Sequence, residues 1–312
     1  MSKVRVCFLG TPEFALTSLK ALLSDDHYEI VGVVTQPDRP AGRKMQLTPS
    51  PVKIHAQAQG LKVLSPESVN KDFILEEIQK WGAEIAVVVA FGQILSTKFL
   101  NLFPFGAVNV HGSILPRWRG AAPIQRALEA GDEETGVTLQ KVVKELDAGD
   151  LLGIRKMKIP NDMDAWQLHD QLALLGCDLL HIELMDYMRG NLAPVPQDPA
   201  GVTYAKKIEK SEAEIKWSLP AEGIHNKVRA FHMGPGTFTT LNGKKLKIHQ
   251  TKVTIGSGQP GAVLEASDRA LIVATGQGAL EILVIQPESR NKIGISEFLK
   301  GNPLKKGDHL GS

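Results

Sequence analysis

The sequence is poor in cysteine and in aromatic residues, and it has no long apolar run. The only cysteines among its 312 residues, Cys7 and Cys177, are too few for a disulfide framework, and their apolar surroundings predict buried thiols in a reducing compartment. No stretch approaches the ~18 consecutive apolar residues that a membrane-spanning helix needs. The N-terminus leads directly into a predicted strand, without a signal-peptide pattern. We therefore expect a cytoplasmic protein with no membrane partner.

Two motifs that would indicate common cofactors are also missing. Val4–Leu9 is apolar except for Arg5, which is typical of a buried parallel strand, and Gly10-Thr11-Pro12 leads from it into a predicted helix. This turn lacks the GxGxxG glycines that let a backbone approach a pyrophosphate, which disfavours dinucleotide binding. No cysteine and histidine cluster has the spacing of metal ligands, so we expect no metal.

Charge is distributed unevenly along the chain. The formal net charge is +2, but Lys206–Ser312 contains 16 basic and 10 acidic residues and therefore carries +6. The remainder carries −4. Such an imbalance is explained either by a solvated surface or by a polyanionic partner of the C-terminal part.

The order of predicted elements divides the chain into two parts. A chain of 312 residues fits two domains. Strand and helix patterns alternate up to about residue 190, a proline-containing stretch follows, and short β runs dominate afterwards. We predict the α/β class, with a Rossmann-like, mostly parallel sheet domain over 1–190, a linker over 191–208, and a smaller OB-like β-barrel domain over 209–312. The most apolar strand, Glu84–Ala90, should lie in the middle of the parallel sheet.

The run Gly106–Pro123 contains the first candidate catalytic residues. It opens as a short strand on which Asn109 and His111 share one face, with His111 at the carboxyl end. Ligands of open α/β sheets bind at that end. The two side chains are either turn-capping groups or a pair that stabilises an oxyanion and moves a proton. The acidic loop Glu145–Asp150 offers a carboxylate that could orient the imidazole, and this favours catalysis.

The motif NVHGSILPRWRGAAPIQ, with LDAGD about thirty residues further on, resembles the folate-dependent formyltransferases. Phe8–Ala15, Thr35–Arg43 and Pro49–Lys53 agree with the members of that family that act on methionyl initiator tRNA. The resemblance covers nearly the whole chain and is strongest before about residue 150. It implies an enzyme that transfers a formyl group from 10-formyltetrahydrofolate, its co-substrate, to the α-amino group of methionyl initiator tRNA. We expect this enzyme to be a monomer.

The resemblance also implies roles for particular residues. Asn109, His111 and Asp147 match the catalytic triad of the family. A flat heteroaromatic ring fits an apolar slot with a few fixed hydrogen bonds. The residues expected to bind the folate are Phe91, Gly92, Ile94, Leu95, Ser113, Ile114, Leu115 and Pro116.

The segment Gln36–Ser50 is a candidate for tRNA recognition. It contains three prolines, Gly42 and several basic residues, a composition typical of a surface loop or of a basic finger that contacts phosphate. The resemblance implies a finger on the acceptor stem. The residues expected to contact tRNA are Arg39, Arg43, Lys44, Arg117, Arg119, Lys206 and Lys207.

Two other functions use the same residues. The triad would equally serve formylation of a UDP-aminosugar or hydrolysis of 10-formyltetrahydrofolate. A non-enzymatic alternative is an RNA-binding protein that keeps an inactive formyltransferase domain. The basic loop and the basic C-terminal part favour tRNA as the acceptor, and the presence of all three triad residues favours an enzyme.

Overall fold

The computed structural model describes residues 3–41 and 45–311. Arg43 and Lys44, two of the predicted tRNA contacts, lie outside the described residues. No helix in the described ranges combines the length and the apolar character that crossing a membrane requires.

Most strands of the first part of the chain are followed by a helix, as the apolar pattern predicts. Its elements are β1 (Val4–Gly10), α1 (Glu13–Ser24), β2 (Tyr28–Val34), β3 (Arg39–Ala41), β4 (Gln46–Thr48), α2 (Pro51–Ala58), β5 (Val63–Leu64), α3 (Asp72–Gln79), β6 (Ile85–Val89), α4 (Thr97–Leu100), β7 (Ala107–His111), β8 (Arg119–Gly120), α5 (Pro123–Ala130), β9 (Glu134–Lys141), β10 (Leu151–Lys158) and α6 (Ala165–Met188).

The central sheet has seven strands in the order β10-β9-β7-β6-β1-β2-β5. The pairs from β7 to β5 are parallel, and β9 joins β7 antiparallel. The predicted mostly parallel sheet is therefore confirmed. Strand β6 is in the middle, as predicted, and all five of its residues are buried, because helices cover both faces of such sheets. The parallel order brings the carboxyl ends of β1, β6 and β7 to one edge.

Apolar side chains on one side of this sheet form a continuous core. Cys7 on β1 belongs to it, together with Trp81 and Phe99. Both cysteines are free; Cys7 is buried as expected, and Cys177 is half-buried. Burial raises the pKa of the Cys7 thiol far above its ordinary value, and it raises the pKa of Cys177 to about 11. Neither thiol is therefore a ready nucleophile at neutral pH.

The rest of the chain is dominated by antiparallel strands. Its elements are β11 (Tyr204–Ala205), α7 (Ala221–Ala230), β12 (Thr237–Leu241), β13 (Lys244–Thr254), β14 (Val263–Ala266), β15 (Leu271–Ala274), β16 (Ala279–Pro287), β17 (Ile293–Gly294) and α8 (Ile295–Gly301). The sheet order is β12-β13-β16-β15-β14, and β17 pairs with β16. The short antiparallel strands and the final helix are as predicted, but this pairing does not establish a closed barrel of the OB type.

The described chain forms two compact units that are not contiguous in sequence. The first comprises Met1–Gly120, Glu134–Met157 and His169–Ala205. The second joins Lys206–Ser312 to two earlier segments, Ala121–Glu133 and Lys158–Leu168. The division into a domain over 1–190, a linker over 191–208 and a second domain over 209–312 stays a prediction.

Arg126 on α5 links two segments of the second unit. Its guanidinium donates two hydrogen bonds to the carboxylate of Glu212, at 2.8 and 3.0 Å, and one to Glu129 at 2.7 Å. It also donates to the backbone carbonyls of Lys206 and Lys207. The hydrogen bonds from Arg126 hold the pKa of the Glu212 carboxyl below its usual value. This pair therefore fastens the start of the C-terminal part to α5.

Candidate active site

Strand β7 ends in the two predicted catalytic side chains. Asn109 Nδ2 donates to Asp147 Oδ1 at 3.4 Å, and His111 Nδ1 lies 3.7 Å from Asp147 Oδ2. The His111 side chain is only 6% exposed, and the Asp147 side chain 12%. The three side chains are distant in sequence, yet the structure brings them together at the carboxyl edge of the sheet.

The Asp147 carboxylate has further partners that fix its orientation. Oδ2 accepts the Gly120 N–H at 2.8 Å, and Oδ1 accepts Gln140 Nε2 at 2.9 Å. The backbone of Asp147 adopts a φ of 49°, in the left-handed region that costs a non-glycine residue free energy unless its surroundings enforce it. The donors around the carboxylate provide this enforcement.

The imidazole of His111 is held from both sides. Its Nε2 lies 2.9 Å from the carbonyl oxygen of Trp118, which can only accept a hydrogen bond. Its Nδ1 faces the Asp147 carboxylate, which is also an acceptor when ionised. For His111 to donate to a substrate oxygen, one of these two contacts has to be exchanged for the substrate, as often happens when a free site tightens on binding.

The predicted folate-binding tetrapeptide Ser113–Pro116 follows directly on β7. Thr138 on β9 fastens it, because the Thr138 hydroxyl donates to the Ser113 carbonyl at 2.7 Å and accepts the Leu115 N–H at 3.1 Å. Ser113 and Leu115 are buried, whereas Ile114 and Pro116 are half-buried. The half-buried pair offers the side-chain surface of this segment to a ligand.

The second predicted wall of the folate site follows β6. The side chains of Phe91 and Leu95 belong to the core below the sheet edge, and the Phe91 carbonyl accepts Gln36 Nε2 at 3.0 Å. Gly92 has a φ of 83°, a conformation that favours glycine. Ile94 is 82% exposed. Of this wall, Gly92 and Ile94 are therefore the members available to a ligand.

The predicted tRNA contacts differ in their surroundings. Arg119 is half-buried, and its guanidinium donates to Gln197 Oε1 at 3.0 and 2.7 Å. Arg117 lies over the Trp118 ring, 4.3 Å from its centroid. Arg39 forms an exposed ion pair with Glu67 at 3.3 Å, while Lys206 and Lys207 are exposed.

Sequence reasoning missed the residues that hold the triad. Gln140 and Thr138 lie on β9 directly opposite Asn109 and His111 in the antiparallel register, and both are buried. The signal was available, since Thr138 and Gln140 alternate with the apolar Val137 and Leu139, and polar side chains on a buried strand need partners. Gln197, by contrast, lies in a stretch whose prolines indicate a linker, and nothing local marks it.

Metal ligands form no cluster in the described ranges, where no group of three or more His, Cys, Asp or Glu side chains could hold an ion. The groups that the structure presents at this edge are an amide, an imidazole and a carboxylate, with backbone N–H groups around them.

Comparison with known proteins identifies the family of this chain. Residues 3–181 match the formyl transferase family model, and residues 207–303 match the model of the formyl transferase C-terminal domain. The chain therefore belongs to the formyl transferase family. It is 66% identical over 317 aligned residues to a methionyl-tRNA formyltransferase of Bdellovibrio bacteriovorus, and the alignment covers 100% of both chains.

Two solved structures share the fold at low identity. HypX from Aquifex aeolicus superposes with a TM-score of 0.63 and 20% identity, covering 100% of this chain and 53% of that longer protein. An N-formyltransferase from Helicobacter canadensis, solved with folinic acid and dTDP-3-aminofucose, gives a TM-score of 0.65 at 18% identity and covers 93% of this chain and 100% of that one.

Proposed function

We propose that this protein transfers a formyl group from 10-formyltetrahydrofolate to the α-amino group of methionyl initiator tRNA, for translation initiation. The observation that carries the proposal is the convergence of Asn109, His111 and Asp147 at the carboxyl edge of the sheet. The full-length similarity to a methionyl-tRNA formyltransferase supports the choice of acceptor.

The reaction makes modest demands on a base. An α-amino group has a reference pKa near ~7.7, so an appreciable neutral fraction exists at pH 7. The enzyme then has to position the amine and stabilise the negative charge that develops on the formyl oxygen. In the proposed mechanism, Asn109 and His111 donate to this oxygen. Asp147 orients both side chains and helps to move the proton from the attacking nitrogen.

The folate would lie along the segments that follow β6 and β7. Gly92, Ile94, Ile114 and Pro116 supply the accessible surface, while Phe91, Leu95, Ser113 and Leu115 support it from below. Ile94 and Leu146 are large apolar side chains that are 82% and 65% exposed. Exposed apolar side chains on the loops at this edge suit a partly apolar heteroaromatic ligand.

The tRNA would meet basic residues from several segments. The C-terminal range 209–312 is proposed as a tRNA-binding domain because Lys206–Ser312 carries +6. We assign acceptor-stem contacts to the loop that contains Arg39, Arg43 and Lys44, with Arg117, Arg119, Lys206 and Lys207 as further contacts. The protein is proposed to act as a monomer in the cytoplasm, where initiator tRNA is charged.

One assay with three acceptors tests the proposal. The purified protein is incubated with 10-formyltetrahydrofolate and either Met-tRNA, a UDP-aminosugar or buffer alone, and the release of tetrahydrofolate is followed. We expect release with Met-tRNA only, together with a formylated methionyl ester. Uncharged tRNA is the matched control, because it lacks the α-amino group. Release with the aminosugar or with buffer alone would instead identify a sugar formyltransferase or a hydrolase.

A further inference from the structure

Gln197 connects three parts of the first unit through its side-chain amide. Its Nε2 donates to the backbone carbonyls of Asp147 at 2.8 Å and Gly149 at 2.7 Å. Its Oε1 accepts two hydrogen bonds from Arg119. The loop that displays the Asp147 carboxylate is therefore fastened by a residue that lies far along the chain.

The chemistry of the partners fixes which way this amide points. An arginine side chain can only donate hydrogen bonds, and a backbone carbonyl can only accept them. The amide oxygen must therefore face Arg119, and the amide nitrogen must face the Asp147 loop. The amide oxygen of Gln197 thus contacts the Arg119 cation, and its amide nitrogen contacts two backbone carbonyl oxygens.

Gln140 continues the connection to the carboxylate. Its Oε1 lies 3.3 Å from Gln197 Nε2, and its Nε2 donates to Asp147 Oδ1 at 2.9 Å. Gln197 Nε2 has two N–H groups and gives them to the Asp147 and Gly149 carbonyls, so the longer contact to Gln140 Oε1 can only share one of these hydrogens. Gln197 therefore holds the backbone of the loop, and Gln140 holds the carboxylate directly.

Apolar side chains contribute little to holding this loop. Leu146 is 65% exposed, Lys144 and Glu145 are exposed, and Asp147 is in the left-handed region. A loop with few buried apolar contacts opens at low free-energy cost. The bonds from Gln197 therefore compensate for the missing apolar packing.

We infer that Gln197, oriented by Arg119, is a positioning residue that sets the Asp147 carboxylate for the reaction, with Gln140 as the second link. The inference rests on the proposed function for its kinetic consequence. Within the first unit, Arg119 accordingly orients the Gln197 side chain through its two hydrogen bonds, in addition to any contact with tRNA. A misplacement of a reacting group by about 1 Å can cost about a hundredfold in rate.

The test compares Gln197→Ala with Gln57→Ala, which changes an exposed glutamine on α2. We expect kcat with Met-tRNA to fall roughly 10- to 100-fold in Gln197→Ala, with KM and the folate Kd within about threefold. Gln197→Glu keeps the shape but cannot donate to the two carbonyls, so its loss should be at least as large. Gln57→Ala should match the wild type.

Amide hydrogen exchange of residues 144–149 provides a readout that does not depend on the substrate. Exchange should be faster in Gln197→Ala and unchanged in Gln57→Ala. If the wild type formylates none of the acceptors, the proposed function fails, and exchange alone decides whether Gln197 holds the loop. Unchanged exchange overturns the inference, and so does wild-type kcat in a variant whose loop exchanges faster.

Discussion

At the scale of single residues, the Asp147 carboxylate is the point on which the other site residues converge. It receives hydrogen bonds from Asn109, Gln140 and the Gly120 N–H, and it faces His111 Nδ1 at 3.7 Å. Glu145 and Leu146 before it are exposed and Ala148 after it is half-buried, so polar contacts fix the position of the carboxylate more than apolar packing does.

Replacing Asp147 by Asn should nearly abolish turnover, with kcat reduced at least about a hundredfold and the folate Kd within a few-fold of wild type. The substitution removes the negative charge beside His111 but keeps the shape of the side chain. Steady-state formylation of Met-tRNA and equilibrium binding of folate measure the two quantities separately.

Glu145→Gln is the matched control, because it removes a carboxylate from an exposed position of the same loop. It should leave kcat unchanged. Turnover close to wild type in Asp147→Asn would remove Asp147 from the mechanism.

Arg43→Ala should lower kcat/KM for Met-tRNA. The loss should correspond to about 1–3 kcal/mol of activation free energy, the usual value of a charge-assisted contact. The surrounding Gln36–Ser50 segment is rich in proline and basic residues and poor in apolar ones. The planar guanidinium can grip a phosphate or a base edge. The folate Kd should stay the same, and Lys20→Ala on the surface of α1 serves as the control. If kcat/KM is unaffected, Arg43 is an ordinary surface charge.

The strand motif predicts part of this site because Asn109 and His111 are two residues apart, and this spacing alone puts both on one face. Asp147 was found through an acidic loop and a family resemblance. Gln197 could not be found in this way, since its hydrogen bonds join residues far apart in sequence and its neighbouring prolines indicate a linker. In the structure, the Leu151–Val195 bridge and the Gln197 side chain attach this stretch to the Asp147 loop.

At the scale of elements, apolar patterning predicts those strands that are buried on both faces. Strand β6 is the best example, since a run of five buried aliphatic residues leaves few alternatives. The antiparallel pair of β3 and β4 within Gln36–Ser50, and the two-residue pair of β8 and β11, were not predicted. Such short strands have no periodicity of their own and form only because a partner strand is present.

Helix α5 offers a test of stability at this scale, through the bond from Arg126 to Glu212. The hydrogen bonds from Arg126 lower the pKa of Glu212 in the folded protein. The ionised pair therefore stabilises the fold fully at pH values above the pKa of an unfolded glutamate. This stabilisation is lost as the pH falls through the lower pKa of the folded state. Glu212→Gln should cost about 1 kcal/mol of unfolding free energy at pH 7, a value typical of a well-aligned, partly exposed pair.

Urea unfolding at pH 7 and again below pH 4 measures this effect. The difference between wild type and Glu212→Gln should shrink toward zero at the lower pH. Glu222→Gln, at an exposed position near the start of α7, is the control. A difference that persists unchanged in acid would mean that the ion pair is not its source.

At the scale of the whole molecule, the uneven charge predicts how binding to tRNA responds to salt. Lys206–Ser312 carries +6, and contacts to phosphate release counterions. The affinity of the full chain for tRNA should fall at least about tenfold between 50 and 200 mM salt. Lys244→Gln with Lys252→Gln should make the salt dependence shallower, whereas Lys20→Gln with Lys62→Gln should not. An affinity independent of salt would contradict a phosphate-dominated interface.

The second unit is assembled from three stretches of the chain, and this has a consequence for its synthesis. Helix α5 and Lys158–Leu168 leave the ribosome well before their partners: Asn226, which packs against Gly131, and Arg229, which binds the carbonyls of Pro160 and Met163. A nascent chain cannot complete this unit until its last strands have emerged. A protein proposed to formylate the first amino acid of other chains thus has to wait for the synthesis of Lys206–Ser312 before its early segments find their partners.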